Sequence, residues 1–596
     1  MALLETPSYS ATQYKNFEIP DPCSGGINLK DLEYEQDESQ SPNVLNMMYR
    51  NGSFCKRYGQ EYHHDYTDTI YDVGYFKGDM IIHAGTKIYK GTTVLATGLP
   101  AKRGLFINFN RKLYYINDKF YQYDTEWKEV SPYVPDVVIN RKPDGSYSDT
   151  IENYNRVGTG FKNTFHGDGE SKVYVLTDKN LDNKAPIVEV NGSVVSDYTV
   201  DYTNGKITFT TAPSKGTNNV VITAYKTEQE YIDTILNSKY YAAYGGDNNS
   251  RLFLAGGGES IYYYSEVFDA TYFPEQNYAT VGNGEEDITG FGEQYDVLMV
   301  FKPTEIYAIE YYVDSENKGA FTAKQVNARI GCDAPHSIQL INNLLVWLST
   351  TEGVCTLVST NIEDERNVRI ISRNIEGGYR ISGLMQEENL KEAVSVDWDN
   401  KYFLTINGRV YMWDYLMTPY ANTGKLDQDA KRLAWFLFDN FSVYEYLKAG
   451  RELYYASGSK MIKLNEKYDD FGNPIHAVYQ TPFLQFNAVE YLKTVKNMYV
   501  QCRADTISVI NIKYFTEETP QGEDESEPII IYGTIWDNFL WNTFGWAVVN
   551  FANVFRRKCS LKKIQMASVL FENNEAGRDM AISHLSFQYT VVKNIK

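Results

Sequence analysis

One local pattern recurs along this chain and restricts its folds more than any other feature. A short apolar run, rich in β-branched and aromatic residues, meets a tight polar turn, and a second apolar run follows. The copies read DMIIHAGTKIY (79–89), KLYYINDKFYQYD (112–124), RLFLAGGGESIYYYS (251–265), LMVFKPTEIYAIE (298–310), LLVWLSTTEGVCTL (344–357), KYFLTINGRVYMWD (401–414) and ELYYASGSKMIKL (452–464). Runs of this length around a turn are the signature of β-hairpins. Asn407–Gly408 is the strongest single turn signal among them.

The spacing of the copies points to an architecture. Their starts at 79, 112, 251, 298, 344, 401 and 452 lie 33 to 57 residues apart, with one gap of 139. A four-stranded propeller blade occupies roughly 40–50 residues. The expected fold is therefore all-β: a β-propeller of about seven blades, within a range of six to eight, over residues 66–475. The long gap implies an insertion, seen as a composition shift over 131–228. Strict alternation and turns at Asn191–Gly192, Asn204–Gly205 and Lys215–Gly216 read there as a small immunoglobulin-like β-sandwich. The repeat stops near 475, and 476–596 reads as a C-terminal β-sandwich-like domain with an acidic loop, TEETPQGEDESEP, at 516–528. The first 65 residues show no sustained apolar period and read as an extended N-terminal arm.

Charge and composition narrow the function classes. With 57 basic and 77 acidic residues the formal charge is −20. Tight nucleic-acid binding rests on phosphate neutralisation, so such a chain is expected to surround DNA rather than grip it. The 50 tyrosines suit half-buried sheets. No apolar run approaches the ~20 residues of a membrane helix, so no membrane span is expected. The opening MALLETPSYSATQ has no basic stretch leading into an apolar core and does not read as a secretory signal. The six cysteines form no CxxC pair, which argues against a zinc site and against a disulfide framework.

Several stretches carry residue types suited to chemistry. Gly256–Gly258 follow a strand as a phosphate loop would, but no helical period and no Gly-Lys-Ser/Thr comes after them, so they read as a hairpin turn. His63, His64 and His83 lie near Asp65 in sequence, yet adjacent histidines on an extended chain face opposite ways. Asp178, Asn180, Asp182 and Glu189 fall at calcium-loop positions, with Asn183 where a glycine belongs. Cys332, Asp333 and His336 are close without a nucleophile motif around them. Glu285, Glu286 and Asp287 offer adjacent carboxylates of unknown separation in space. The basic run RRKCSLKK at 556–563 reads as a solvated strand edge or a protein contact. No catalytic, cofactor-binding or metal-ligating residue is expected, and no enzyme activity.

Three stretches together resemble a known family. The run 25–62, with Gly25–Gly26 and the later step Gly52, Phe54, Arg57 and Gly59, resembles the opening of phage tail proteins. The stretch RLFLAGGGESIYYYS, with DITG and VLMVFKPTEIYAI after it, is similar to their central blades. TPFLQFNAVEYLKTVKNMYV resembles their sheet after the propeller. The resemblance is to the tail nozzle, or tail tubular protein B, and tail-stabilisation class of short-tailed phages. It implies a structural protein of the virion, made in the host cytoplasm, that assembles with itself as a ring, a hexamer in that class. Phage adaptor or neck proteins and tail fibres would be its neighbours, and double-stranded DNA would pass through its channel without tight binding. The alternative expectation is a tail protein that recognises host glycans through its tyrosine-rich surface.

Overall fold

The computed structural model describes residues 14–594 except 51, 247, 314–318, 360–366, 379–381, 418–432, 504–506, 525–527 and 532–552. Among these, strands dominate and a single α-helix occurs, Gln229–Leu236.

All seven sequence hairpins form; six are the centres of four-stranded sheets, and the seventh lies in a six-stranded sheet. Sheet I runs Ile70–Phe76, Asp79–Ala84, Lys87–Lys90, Thr93–Thr97. Sheet II runs Leu105–Phe109, Lys112–Ile116, Phe120–Tyr123, Trp127–Glu129. Sheet III runs Tyr240–Tyr244, Arg251–Ala255, Ile261–Tyr264, Tyr278–Thr280. Sheet IV runs Gly290–Gln294, Val297–Phe301, Ile306–Val313, Gly319–Asn327. Sheet V runs Gln339–Ile341, Leu344–Ser349, Gly353–Leu357, Val368–Ile370. Sheet VI runs Val394–Trp398, Lys401–Ile406, Arg409–Asp414, Trp435–Phe438. Sheet VII begins Glu445–Ala449, Glu452–Ser457, Lys460–Leu464, and its fourth strand is Gln60–Asp65, from before sheet I in the chain. The strands Asp469–Asp470 and Asn473–Pro474 extend that sheet.

The chain divides into two compact units, one of residues 68–345 with 357–368 and one of 1–67, 346–356 and 369–596. In the first, sheets pack face to face in chain order. Because strand side chains alternate between faces, one strand serves two cores. Leu113 and Tyr115 join Phe76, Ile81 and Ile88 of sheet I, while Tyr114 and Ile116 join Leu252 and Leu254 of sheet III. Phe253 and Ala255 then turn to Leu298, Val300 and Ile309 of sheet IV. This double burial explains why the central strands are continuous apolar runs and not alternating ones. The first strands of sheets I, II, III and IV adjoin one another in sequence order. The segment between sheets II and III forms a six-stranded and a three-stranded sheet around one core that includes Phe161, Phe165, Tyr174, Val188, Ile207 and Ile222.

In the other unit, the two ends of the chain build one pair of sheets. A seven-stranded sheet holds Met47–Arg50, Ser53–Lys56, Ala581–Asn594, Tyr491–Arg503 and Asn553–Arg557, with Lys15–Ile19 and Leu561–Ile564 on its flanks. A six-stranded sheet holds Asn43–Leu45, Ala477–Gln480, Ala567–Asn573, Ser508–Thr516 and Glu523–Asp524, with Ile529–Ile531 beside Ser508–Thr516. The expected extended arm over 1–65 is thus corrected: its described part, from residue 14, is woven into these sheets and sheet VII. Its strands are two to six residues long, too short for a period to show, and four of them, Lys15–Ile19, Asn43–Leu45, Ser53–Lys56 and Gln60–Asp65, have partners hundreds of residues away. The C-terminal domain likewise is not made of 476–596 alone. Part of the acidic loop, residues 523–524, pairs with Lys513 and Tyr514, and 525–527 lie outside the described residues.

Arg57 fixes the entry of the N-terminal segment into sheet VII. It is 2% exposed. Its guanidinium donates to both oxygens of Asp470, at 3.0 and 2.6 Å, to Asn46 Oδ1 at 2.8 Å and to the Asp439 carbonyl at 3.1 Å. The planar fork matches the carboxylate in the bidentate geometry that only arginine offers. Two residues on, Gly59 packs so closely that a Cβ there would lie 1.8 Å from the Asp469 carbonyl oxygen.

Candidate functional site

One candidate binding feature is an open cavity of about 680 Å³ at one end of sheets III and IV. Two turns shape it. After strand Tyr240–Tyr244 the chain enters a left-handed run, with φ of +88° at Gly245, +64° at Gly246, +70° at Asn248 and +49° at Asn249. Glycine and asparagine are the residues that adopt this backbone readily. In sheet IV, Tyr295 and Asp296 both have positive φ between the paired Gln294 and Val297, the two-residue hairpin turn that follows strand twist.

Polar contacts hold these turns in place. Tyr244 Oη lies 2.8 Å from the Ile309 carbonyl and 3.0 Å from that of Asp296, and it accepts the Tyr311 N–H at 3.3 Å. Asn249 Nδ2 donates to Glu293 Oε2 at 3.0 Å. Lys324 Nζ pairs with Glu310 Oε2 at 2.9 Å. The wall carries Glu293, Asp296 and Glu310, and Tyr311, 37% exposed, stands beside them. The arrangement offers carboxylate and amide groups to hydroxyls or cations next to an aromatic ring, and its negative balance disfavours phosphate. In sequence its parts lie at 244–249 and 293–311, on different hairpins. The one local signal was the run GGDNN, whose glycines and asparagines predict left-handed backbone.

The sequence candidates for chemistry fall elsewhere. Gly256 and Gly258 sit at φ of +95° and +91° between the paired strands Arg251–Ala255 and Ile261–Tyr264, a hairpin turn as read. His63 and His64 lie on strand Gln60–Asp65 of sheet VII, one ring against Tyr454 and the other against Tyr66. His83 is buried apart from them, its Nδ1 2.7 Å from Tyr115 Oη, which in turn meets Asp72 Oδ2 at 2.7 Å. Asp72 also accepts the Gly104 N–H at 2.7 Å, so this polar group bolts sheet I to sheet II.

Asp178 is engaged by Tyr154, Thr177 and Lys226, and Asp182 by the hydroxyl and N–H of Thr227, so both carboxylates serve the insertion's own packing. Glu189 lies in strand Ile187–Val190. Cys332 is fully buried with Sγ 3.3 Å from the Ala334 carbonyl, and burial pushes its thiol up to about 12, which keeps it protonated and a poor nucleophile. His336 is exposed on the turn Pro335–Ser337. Glu286 accepts from the N–H and Oγ1 of Thr304, while the Glu285 carboxylate accepts from Asn283 Nδ2 and the Glu285 N–H donates to Asn283 Oδ1. Of the basic run, Arg556 donates to Asn497 and Arg557 to the Pro528 carbonyl. Among the described residues no group of three or more His, Cys, Asp or Glu side chains is placed to hold a metal ion. No helix among them is long and apolar enough to cross a membrane.

No family model matches the chain, and no curated protein matches it. Among solved structures, the computationally designed Ika8 protein is similar at 10% identity and a TM-score of 0.30, over 68% of this chain and 99% of that one. An exo-β-1,3-galactanase from Phanerochaete chrysosporium, solved with galactose, is similar at 10% identity and a TM-score of 0.20, over 58% and 98%. Likenesses this slight carry nothing about what the chain does.

Proposed function

We propose that this chain is a structural component of a bacteriophage tail, a nozzle, hub or neck ring that lines part of the DNA ejection channel and docks neighbouring tail proteins or fibres. In this reading sheets I to VII form a closed seven-bladed β-propeller. The observation that carries it is the seventh sheet, which takes its fourth strand, Gln60–Asp65, from before the first sheet. A chain that completes its last sheet with its first strand closes a ring and leaves no open end, the usual way a propeller protects its edges. The charge of −20 agrees with a channel that repels phosphate and lets DNA slide. Copies would associate through heterologous contacts that close by rotation. The test is the mass of the full chain in solution, alone and with the neck proteins of the same particle. A ring of copies, with no retention of DNA at physiological salt, is the expected result. A lasting monomer beside those partners contradicts the proposal.

A second reading, recognition of a neutral host glycan, is favoured by the cavity at Glu293, Asn249 and Tyr311, where hydroxyl acceptors stand next to an aromatic ring. It predicts adhesion of the purified chain to host cells and loss of that adhesion in Tyr311→Ala. The nozzle reading predicts no adhesion in either protein.

A further inference from the structure

In the unit built from both chain ends, a buried amine faces a buried carboxamide. Lys56 ends strand Ser53–Lys56 in the seven-stranded sheet, and Asn573 ends strand Ala567–Asn573 in the six-stranded sheet. Both residues are 0% exposed. Lys56 Nζ lies 2.8 Å from Asn573 Oδ1 and 3.0 Å from the Glu575 carbonyl. Asn573 Nδ2 donates to the Val509 carbonyl at 2.9 Å and to Ser508 Oγ at 3.2 Å, which holds Oδ1 toward the amine. Since Oδ1 and Cγ are only ~1.2 Å apart, the amine stands within about 4 Å of the reactive carbon. Two carboxylates accompany the pair. Asp579 is 2% exposed and accepts the Met580 N–H at 2.7 Å, and Glu575 accepts the Val509 N–H at 3.0 Å. Burial lowers the Lys56 ammonium to about 8, and Asp579 is the strongest charge acting against that shift, so part of the population carries a neutral, nucleophilic amine near neutral pH.

We propose that Lys56 and Asn573 join in an intramolecular isopeptide bond. The lone pair of the neutral Nζ attacks Cγ of Asn573, a C–N bond forms, and the carbonyl π pair moves onto Oδ1. A proton passes from Nζ to the Asp579 carboxylate and from there to Nδ2. The carbonyl re-forms, the bond between Cγ and Nδ2 breaks, and ammonia leaves. One amine and one primary amide become one secondary amide and one ammonia, with no change of oxidation level. The bond ties the two sheets together and closes a loop of sequence separation 517. It rests on this unit's geometry and not on the tail reading, although a part under mechanical load gains from it.

The test is the intact mass of the purified full-length chain, followed by proteolysis and tandem mass spectrometry. The expected mass is lower than the sequence mass by one ammonia, with a branched peptide that joins Lys56 to Asn573. That peptide separates the bond from ammonia loss at Asn-Gly turns such as Asn407–Gly408, which yields only linear peptides. Lys56→Arg and Asn573→Ala are expected to abolish the branched peptide. Asp579→Asn is expected to leave a folded chain without it. A wild-type chain at full sequence mass, with Lys56 and Asn573 in separate linear peptides after prolonged incubation, overturns the proposal. A branched peptide that persists in Asp579→Asn overturns the proton's route.

Discussion

Arg57 and Asp470 meet almost out of reach of water, and the guanidinium donates to Asp470, to Asn46 Oδ1 and to the carbonyls of Asp439 and Tyr58. Taking two charges into the interior is unfavourable, and only full satisfaction of both groups offsets it. Removing one partner strands the other. Arg57→Ala is therefore expected to lower unfolding free energy by about 3–5 kcal/mol in denaturant melts. Arg57→Lys is expected to recover little of it, because an ammonium cannot span both carboxylate oxygens and Asn46 at once. If Arg57→Ala melts like the parent, the pair does not fasten the N-terminal segment. The spacing of Gly52, Phe54, Arg57 and Gly59 was visible in sequence, but its meaning was not. Arg57 needs Asp470, 413 residues away, and nothing local to either residue announces the other.

The hairpins were legible because everything that makes them is local. In Lys401–Asp414 the apolar strands, the positive φ at Asn407 and Gly408, and the pairing of Ile406 with Arg409 sit within one stretch. Elements made of distant segments were not legible. Strand Gln60–Asp65 reads in sequence as the end of an extended arm because its tip is polar and its partner, Lys460–Leu464, lies some four hundred residues on. The candidate cavity failed for the same reason, being assembled from two hairpin ends. As the closing strand of sheet VII, Gln60–Asp65 is expected to show hydrogen-exchange protection equal to that of Lys460–Leu464, lost together with it as denaturant rises. Free exchange at 60–65 beside a protected 460–464 would mean that the last sheet is not closed by the first strand.

At the scale of the whole molecule, tyrosine sets the alkaline limit. Burial pushes the phenols of Tyr114, Tyr174, Tyr263 and Tyr307 up to about 12. In the unfolded chain they ionise near 10. Their folded values are raised, so their contribution is whole below pH 10 and is lost as pH climbs from 10 toward 12. Unfolding in that window, with phenolate absorbance rising in step with loss of sheet signal, is the expected outcome. Phenolate absorbance that rises while the fold persists would show that these rings are open to water. At this scale we propose that the chain acts through shape and charge, as a closed wheel of seven sheets repeated around an axis. Electron cryo-microscopy of the tailed particle tests it most directly. The account predicts a ring of copies around the DNA channel, each with seven sheets closed by the strand at 60–65. Copies found only at a fibre tip, or sheets laid in an open row, would contradict it.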